Sequence, residues 1–143
     1  MTKTFRESAA TWPVLVDRKM LMQRWRCGSD ATFWRHAKTG KLRAVTDGRH
    51  VRYAREDVYA FEGGQPPAGM EDAYAADLIT AAEAARHCSV KRSTIVNAAR
   101  SGSLSTRRIG KTYRFVFAEV EAWQKRRFVN RKSLKNSRNT ESE

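Results

Sequence analysis

The chain has 143 residues, with 28 Lys and Arg against 15 Asp and Glu and a formal net charge of +13. That length fits one ordinary domain or two very small ones, and that charge makes a polyanion the first partner to consider, nucleic acid ahead of an anionic membrane surface. No stretch approaches the roughly 20 apolar residues of a membrane span, and the opening "MTKTFRESAATW" lacks the apolar run of a secretion signal. The expectation is a cytoplasmic, nucleoid-associated chain without membrane contact.

Residues 1–19 are predicted as an N-terminal extension. Its Trp12, Val14, Leu15 and Val16 are too apolar for a free arm and point to a short strand or a packing segment. Residues 20–61 form a first unit. "DRKMLMQRW" reads as a helix, and in "GSDATFWRHAKTGKL" Ser29 can cap a second helix that turns Phe33 and Ala37 inward. The opposite face then carries Asp30, Ala31, Trp34, Arg35 and Lys38, and a hairpin around Gly48 adds Arg43, Arg49 and His50 as candidate contacts. An exposed Trp34 suits either a thymine methyl or sugar, or packing against another part of the protein or a second copy. Asp30 repels phosphate but can accept from a cytosine amino group.

Between residues 62 and 77 runs "EGGQPPAGMEDAYAAD", with four acidic residues and no basic one, which predicts a linker. The second unit spans 78–126. Thr80 with Glu83 three residues on has capping-box spacing, a helix follows over 81–87, Cys88 to Val90 make the turn, and a second helix over about 91–100 ends at Gly102. Ile95, Ala98 and Ala99 face inward at spacings of three and four, leaving Arg92, Ser93, Val96, Asn97 and Arg100 outward. Two strands, about 104–109 and 112–116, flank a turn at Gly110 and put Arg107, Arg108 and Lys111 at its tip, with Tyr113 and Phe115 on the covered face and Arg114 pointing away. "FAEVEAW" closes the unit as a helix, and residues 127–143 read as a disordered basic tail.

Sliding the chain by sixty-two residues aligns the two units without a gap: Thr32 with Thr94, Ala37 with Ala99, Gly40 with Gly102, Leu42 with Leu104, Gly48 with Gly110, Arg52 with Arg114 and Val58 with Val120. This is the signature of a tandem repeat. Helix, tight turn, helix, two-stranded wing, helix gives each unit one element of suitable width for a major groove and a hairpin able to touch the backbone beside it. The fold class expected is therefore α+β, two tandem small winged helix-turn-helix domains, each with a two-stranded wing.

Residues Leu78 to Trp123, above all "VKRSTI", "SGSL", "IGKTYRF" and "VEAW", resemble the excisionase and AlpA-like group of winged-helix DNA-binding proteins, related to the MerR-type reading head. The first unit is similar through "GSDATFWR", "TGKL", "DGRHVRY" and "EDVYAF". The resemblance implies that Arg92, Ser93, Val96 and Asn97 meet bases or sugars in the major groove while Arg107, Arg108 and Lys111 of the wing meet the flanking backbone. It differs at Lys91, where the group often has Ser as a cap, and at Val96 and Asn97, where bulky or basic residues are common.

The function expected is sequence-specific binding and bending of double-stranded DNA, as an excisionase-like recombination directionality factor or, alternatively, an AlpA- or MerR-like transcription regulator. A structural adaptor and a small-terminase-like recognition protein are weaker readings. The partners to match are an integrase or recombinase, or RNA polymerase, with cooperative self-association open. No enzyme activity is expected, because the carboxylates fall on predicted caps, turns and helix starts rather than in a metal-holding cluster. No cofactor or metal is expected either, since Cys27, Cys88, His36 and His87 lack zinc-ligand spacing.

Overall fold

The computed structural model describes residues 12–39 and 42–128. Its elements in chain order are β1 (Leu15–Val16), α1 (Arg18–Arg24), α2 (Asp30–Thr39), β2 (Val45–Asp47), β3 (His50–Ala54), α3 (Arg55–Glu62), α4 (Glu71–Ala75), α5 (Ala81–Cys88), α6 (Arg92–Ser101), β4 (Arg107–Ile109) and β5 (Thr112–Arg114), followed by α7 over residues 117–128. Gly40, expected to end α2, and residues 129–143 of the expected tail lie outside the described residues, whereas residues 127 and 128, also expected in the tail, continue α7 as helix.

Local chemistry sets the helix ends. Asp17 accepts a hydrogen bond from the Met20 backbone N–H at 2.8 Å and starts α1. Thr80 and Glu83 form the reciprocal capping box that starts α5, with Glu83 N–H donating to Thr80 Oγ1 at 3.1 Å and Thr80 N–H to Glu83 Oε1 at 2.9 Å. Gly102, at φ +86°, closes α6 in the left-handed conformation that lacks a steric penalty only without a Cβ.

Both hairpins follow one plan. In β2–β3 Val45 faces Arg52 and Asp47 faces His50, and in β4–β5 Arg107 faces Arg114 and Ile109 faces Thr112. Each of these residues is displaced by the same sixty-two positions, as are the two ends of α2 and α6. The first hairpin gains a third strand, because β1 pairs Val16 with Tyr53, and Trp12 stacks on Tyr59 at a ring separation of 5.4 Å. The apolar run before residue 19 is thus built into the first unit, and α1 begins at Arg18.

The core forms two clusters. One gathers Val16, Leu21, Trp25, Phe33, Tyr53 and Val58, and also Tyr74, Leu78, Ile109 and Val116 from beyond the first unit. The other contains Ile79, Ala84, Ile95, Leu104, Phe115, Val120 and Trp123. The second hairpin therefore divides its side chains between the two clusters. Residues 62–77, expected as a linker, are not a free tether: Glu62 is the fully buried last residue of α3, and α4 buries Tyr74 and Ala75.

Candidate nucleic-acid interface

Helix α6 is amphipathic in the sense that matters for recognition. Ile95 is fully buried and Ala98 nearly so, which fixes the inner face, while Arg92, Ser93, Asn97 and Arg100 are exposed. Ser93, Asn97 and Arg100 follow the i, i+4, i+7 spacing of one helical stripe. Val96, expected outward, is half-buried and packs against the second core cluster, so it borders the stripe rather than projecting from it. The turn before the helix places Ser89 at φ +56°, where backbone sterics normally disfavour a residue with a Cβ.

In the second hairpin, alternation separates neighbours. Arg108 is exposed, with its guanidinium over the Tyr113 ring at 4.9 Å, and Lys111 is exposed at the turn. Arg107 departs from its expected role: it is 5% exposed, donates from Nε to Glu62 Oε1 at 3.1 Å and from Nη2 to the Tyr59 carbonyl at 3.2 Å. It shares its face of β4 with the buried Ile109, and that face lies on the first unit rather than toward solvent. Arg114, expected to point away, is half-buried and donates from Nε to the Trp25 carbonyl at 2.8 Å.

Glu62 is the centre of this contact. Its carboxylate accepts from Arg24 Nε and Nη2, both at 2.8 Å, from Trp25 Nε1 at 2.6 Å and from Arg107 Nε at 3.1 Å. Two guanidinium groups against one carboxylate leave an excess of buried positive charge. The Tyr74 and Ala76 carbonyls, accepting from Arg24 Nη1 at 2.6 and 2.8 Å, and the Trp12 ring, 4.1 Å from the Arg24 guanidinium, offset it. Smaller links flank the cluster: Arg26 with Glu83 at 3.3 Å, Gln23 donating to Asp77 at 3.0 Å, and Tyr74 Oη donating to Glu119 at 2.6 Å. Burial and that last contact together push the Tyr74 phenol well above its usual range. Every buried side-chain N and O among the described residues has a partner.

The first unit leaves the turn and the outer face of its hairpin in solvent. Ala31, Arg35, Lys38, Arg43, Arg49 and His50 are exposed, and Trp34 is 49% exposed with its ring edge-on to Phe33 at 5.1 Å. Trp34, Arg49, His50, Val51, Arg52 and Tyr53, with Asp17, Arg18 and Lys19, line an open groove of about 530 Å³ between α2 and the hairpin. Arg18, Lys19 and Arg52 were not among the expected contacts; they come from segments more than thirty residues apart, which the β1–β3 pairing and the packing of α1 against β3 bring together. On the far side of α2, His36 Nδ1 lies 3.7 Å from where a Cβ on Gly110 would sit. Partial burial, and then the Arg114 and Arg35 charges, hold the His36 pKa below its ordinary value.

Among the described residues no group of three or more His, Cys, Asp or Glu is arranged to hold a metal ion, and no helix is long and apolar enough to cross a membrane.

Residues 78–128 match a family model described as a helix-turn-helix domain. That span contains α5, the Ser89 turn, α6, the second hairpin and α7, so the match covers the elements whose geometry is given above. No curated protein and no solved structure matches the chain. The matched segment is similar to a helix-turn-helix domain, with α6 in the place of its second helix.

Proposed function

We propose that this chain binds double-stranded DNA in a sequence-specific manner through two tandem winged helix-turn-helix units, bends its site, and acts as an excisionase-like recombination directionality factor. The observation that carries the reading is the exposed stripe of Ser93, Asn97 and Arg100, flanked by Arg92, on the second helix of the matched helix-turn-helix. Asn bonds bidentately to adenine and Arg to guanine in the major groove. Arg108 and Lys111 of the adjacent hairpin supply charge for the flanking phosphates.

The first unit adds a second basic face on α2 and a hairpin whose turn is solvent-exposed. Its face differs residue by residue from that of α6, with Ala31, Trp34 and Arg35 standing where Ser93, Val96 and Asn97 stand, so the preferred site has two unlike halves. Two reading helices held on one packed body impose a path on the DNA, which is what an architectural role needs. The chain supplies no chemistry in this reading; a recombinase does.

A footprint of the purified chain on the DNA of its source element tests the role. Protection at a recombinase attachment site, with altered mobility in circular-permutation gels, is the expected result. Protection between promoter elements would replace the recombination role by transcription control with RNA polymerase as partner.

A further inference from the structure

The groove of the first unit has a chemistry that phosphate contact alone does not require. Lys19, Arg49 and Arg52 line it with no carboxylate partner among the described residues, whereas Arg18 pairs with Asp30 at 3.4 Å and the Asp17 carboxylate is engaged by the Met20 N–H at 2.8 Å. Set among these cations is the half-exposed indole of Trp34, buttressed edge-on by Phe33 at an interplanar angle of 76°. Its volume of about 530 Å³ lies within the range of about 300–1,000 Å³ typical of small-ligand sites. A flat aromatic surface with cations beside it fits a planar base joined to a phosphate, and base–aromatic stacking needs a base free of its own stack.

We propose that this groove holds one unpaired nucleotide, its base stacked on Trp34 and its phosphate against Arg49, Arg52 and Lys19. The nucleotide comes from a strand opened or kinked at the bound site; a free nucleotide presents the same chemistry. The strand source rests on the DNA-binding reading above, whereas the groove's affinity for the base and phosphate does not.

Tryptophan emission reads the site directly, since Trp12, Trp25 and Trp123 are 9%, 0% and 5% exposed and Trp34 is the half-exposed indole among the described residues. The full chain is titrated with a paired duplex, the same duplex carrying a one-nucleotide bulge, a single-stranded oligonucleotide of the same sequence and deoxyadenosine monophosphate. Duplex binding is followed in parallel by gel shift. Saturable quenching by the bulged duplex and the single strand, well beyond that by the paired duplex, is the expected result, with the bulged duplex preferred by about tenfold. Quenching by the mononucleotide alone assigns the groove to a free nucleotide. Trp34→Leu should abolish the bulge preference. Arg49→Ala with Arg52→Ala, two exposed or half-exposed positions whose loss leaves the core intact, should abolish it while keeping the indole. Absence of quenching by all unpaired species, or equal quenching by paired and bulged duplex, overturns the proposal. A chain that fails to shift paired duplex yet is quenched by single strand overturns the DNA-reading role and leaves the groove's chemistry standing.

Discussion

Removing the charge of Glu62 would leave Arg24 and Arg107 buried together with no anion, since all three are 5% exposed or less. Breaking a buried ion pair from one side costs about 3–5 kcal/mol, so Glu62→Gln should lower the unfolding free energy by that order in urea denaturation, and a loss below about 1 kcal/mol would show that the cluster is not what joins the units. Two adjacent arginines should then behave differently. Arg108→Ala, at an exposed position, should weaken binding to specific and random duplexes alike and reduce the salt slope by about 1. Arg107→Ala should instead lower stability. Asn97→Ala should relax one or two base positions at about 1–3 kcal/mol each. A selection in which Arg108→Ala changes the preferred sequence and Asn97→Ala does not would place the wrong element in the major groove. At this scale the inward residues Phe33, Ala37, Ile95 and Ala98 were readable from helical spacing. Arg107 was not, although its two-residue spacing from the apolar Ile109 was the available signal: alternation says which residues share a face, and says nothing about what covers it.

The second hairpin shows how an element's role depends on its neighbours. Its register was legible because Gly110, at φ +64°, marks the turn and the repeat fixes the offset, and the Thr80–Glu83 cap was legible from spacing alone. Its docking was not, because the contact joins β4 to α3 across 45 residues and the hairpin tip, at Gly110, to His36 of α2 across a still longer stretch of chain. His36 reports on that contact. Its pKa is held below 6.5 in the folded chain, chiefly by burial and then by Arg114 and Arg35, so the unfolded chain binds the proton more readily. The sign follows: the contribution of neutral His36 is fully present above pH 6.5 and is lost as pH falls through its lowered pKa. Unfolding free energy measured from pH 7.5 down to 5 should fall more steeply for the natural chain than for His36→Gln. Parallel curves would mean that the imidazole is not pressed against the hairpin.

For the whole molecule, the cap, turn and helix spacing of residues 78–126 was enough to anticipate the helix-turn-helix domain that residues 78–128 match, while the relation between the units was hidden in the connection. Its Gly and Pro content suits a coil whose sixteen residues would reach about 22 Å on average and about 53 Å at full extension, against about 34–36 Å for one turn of DNA. Tyr74, Ala75 and Leu78 instead enter the first core cluster, and Glu62 and the Ala76 carbonyl engage Arg24. A coil would let the units step apart by a turn of DNA; a docked pair would not. The most direct test is a gel-shift titration on a duplex selected by the natural chain, compared with versions carrying five or ten base pairs inserted between the two protected halves. Both insertions should weaken binding by a similar factor, tenfold or more. Recovery of affinity at ten base pairs, a full turn, would contradict the docked arrangement, and unchanged affinity in both would mean that one unit alone reads the DNA.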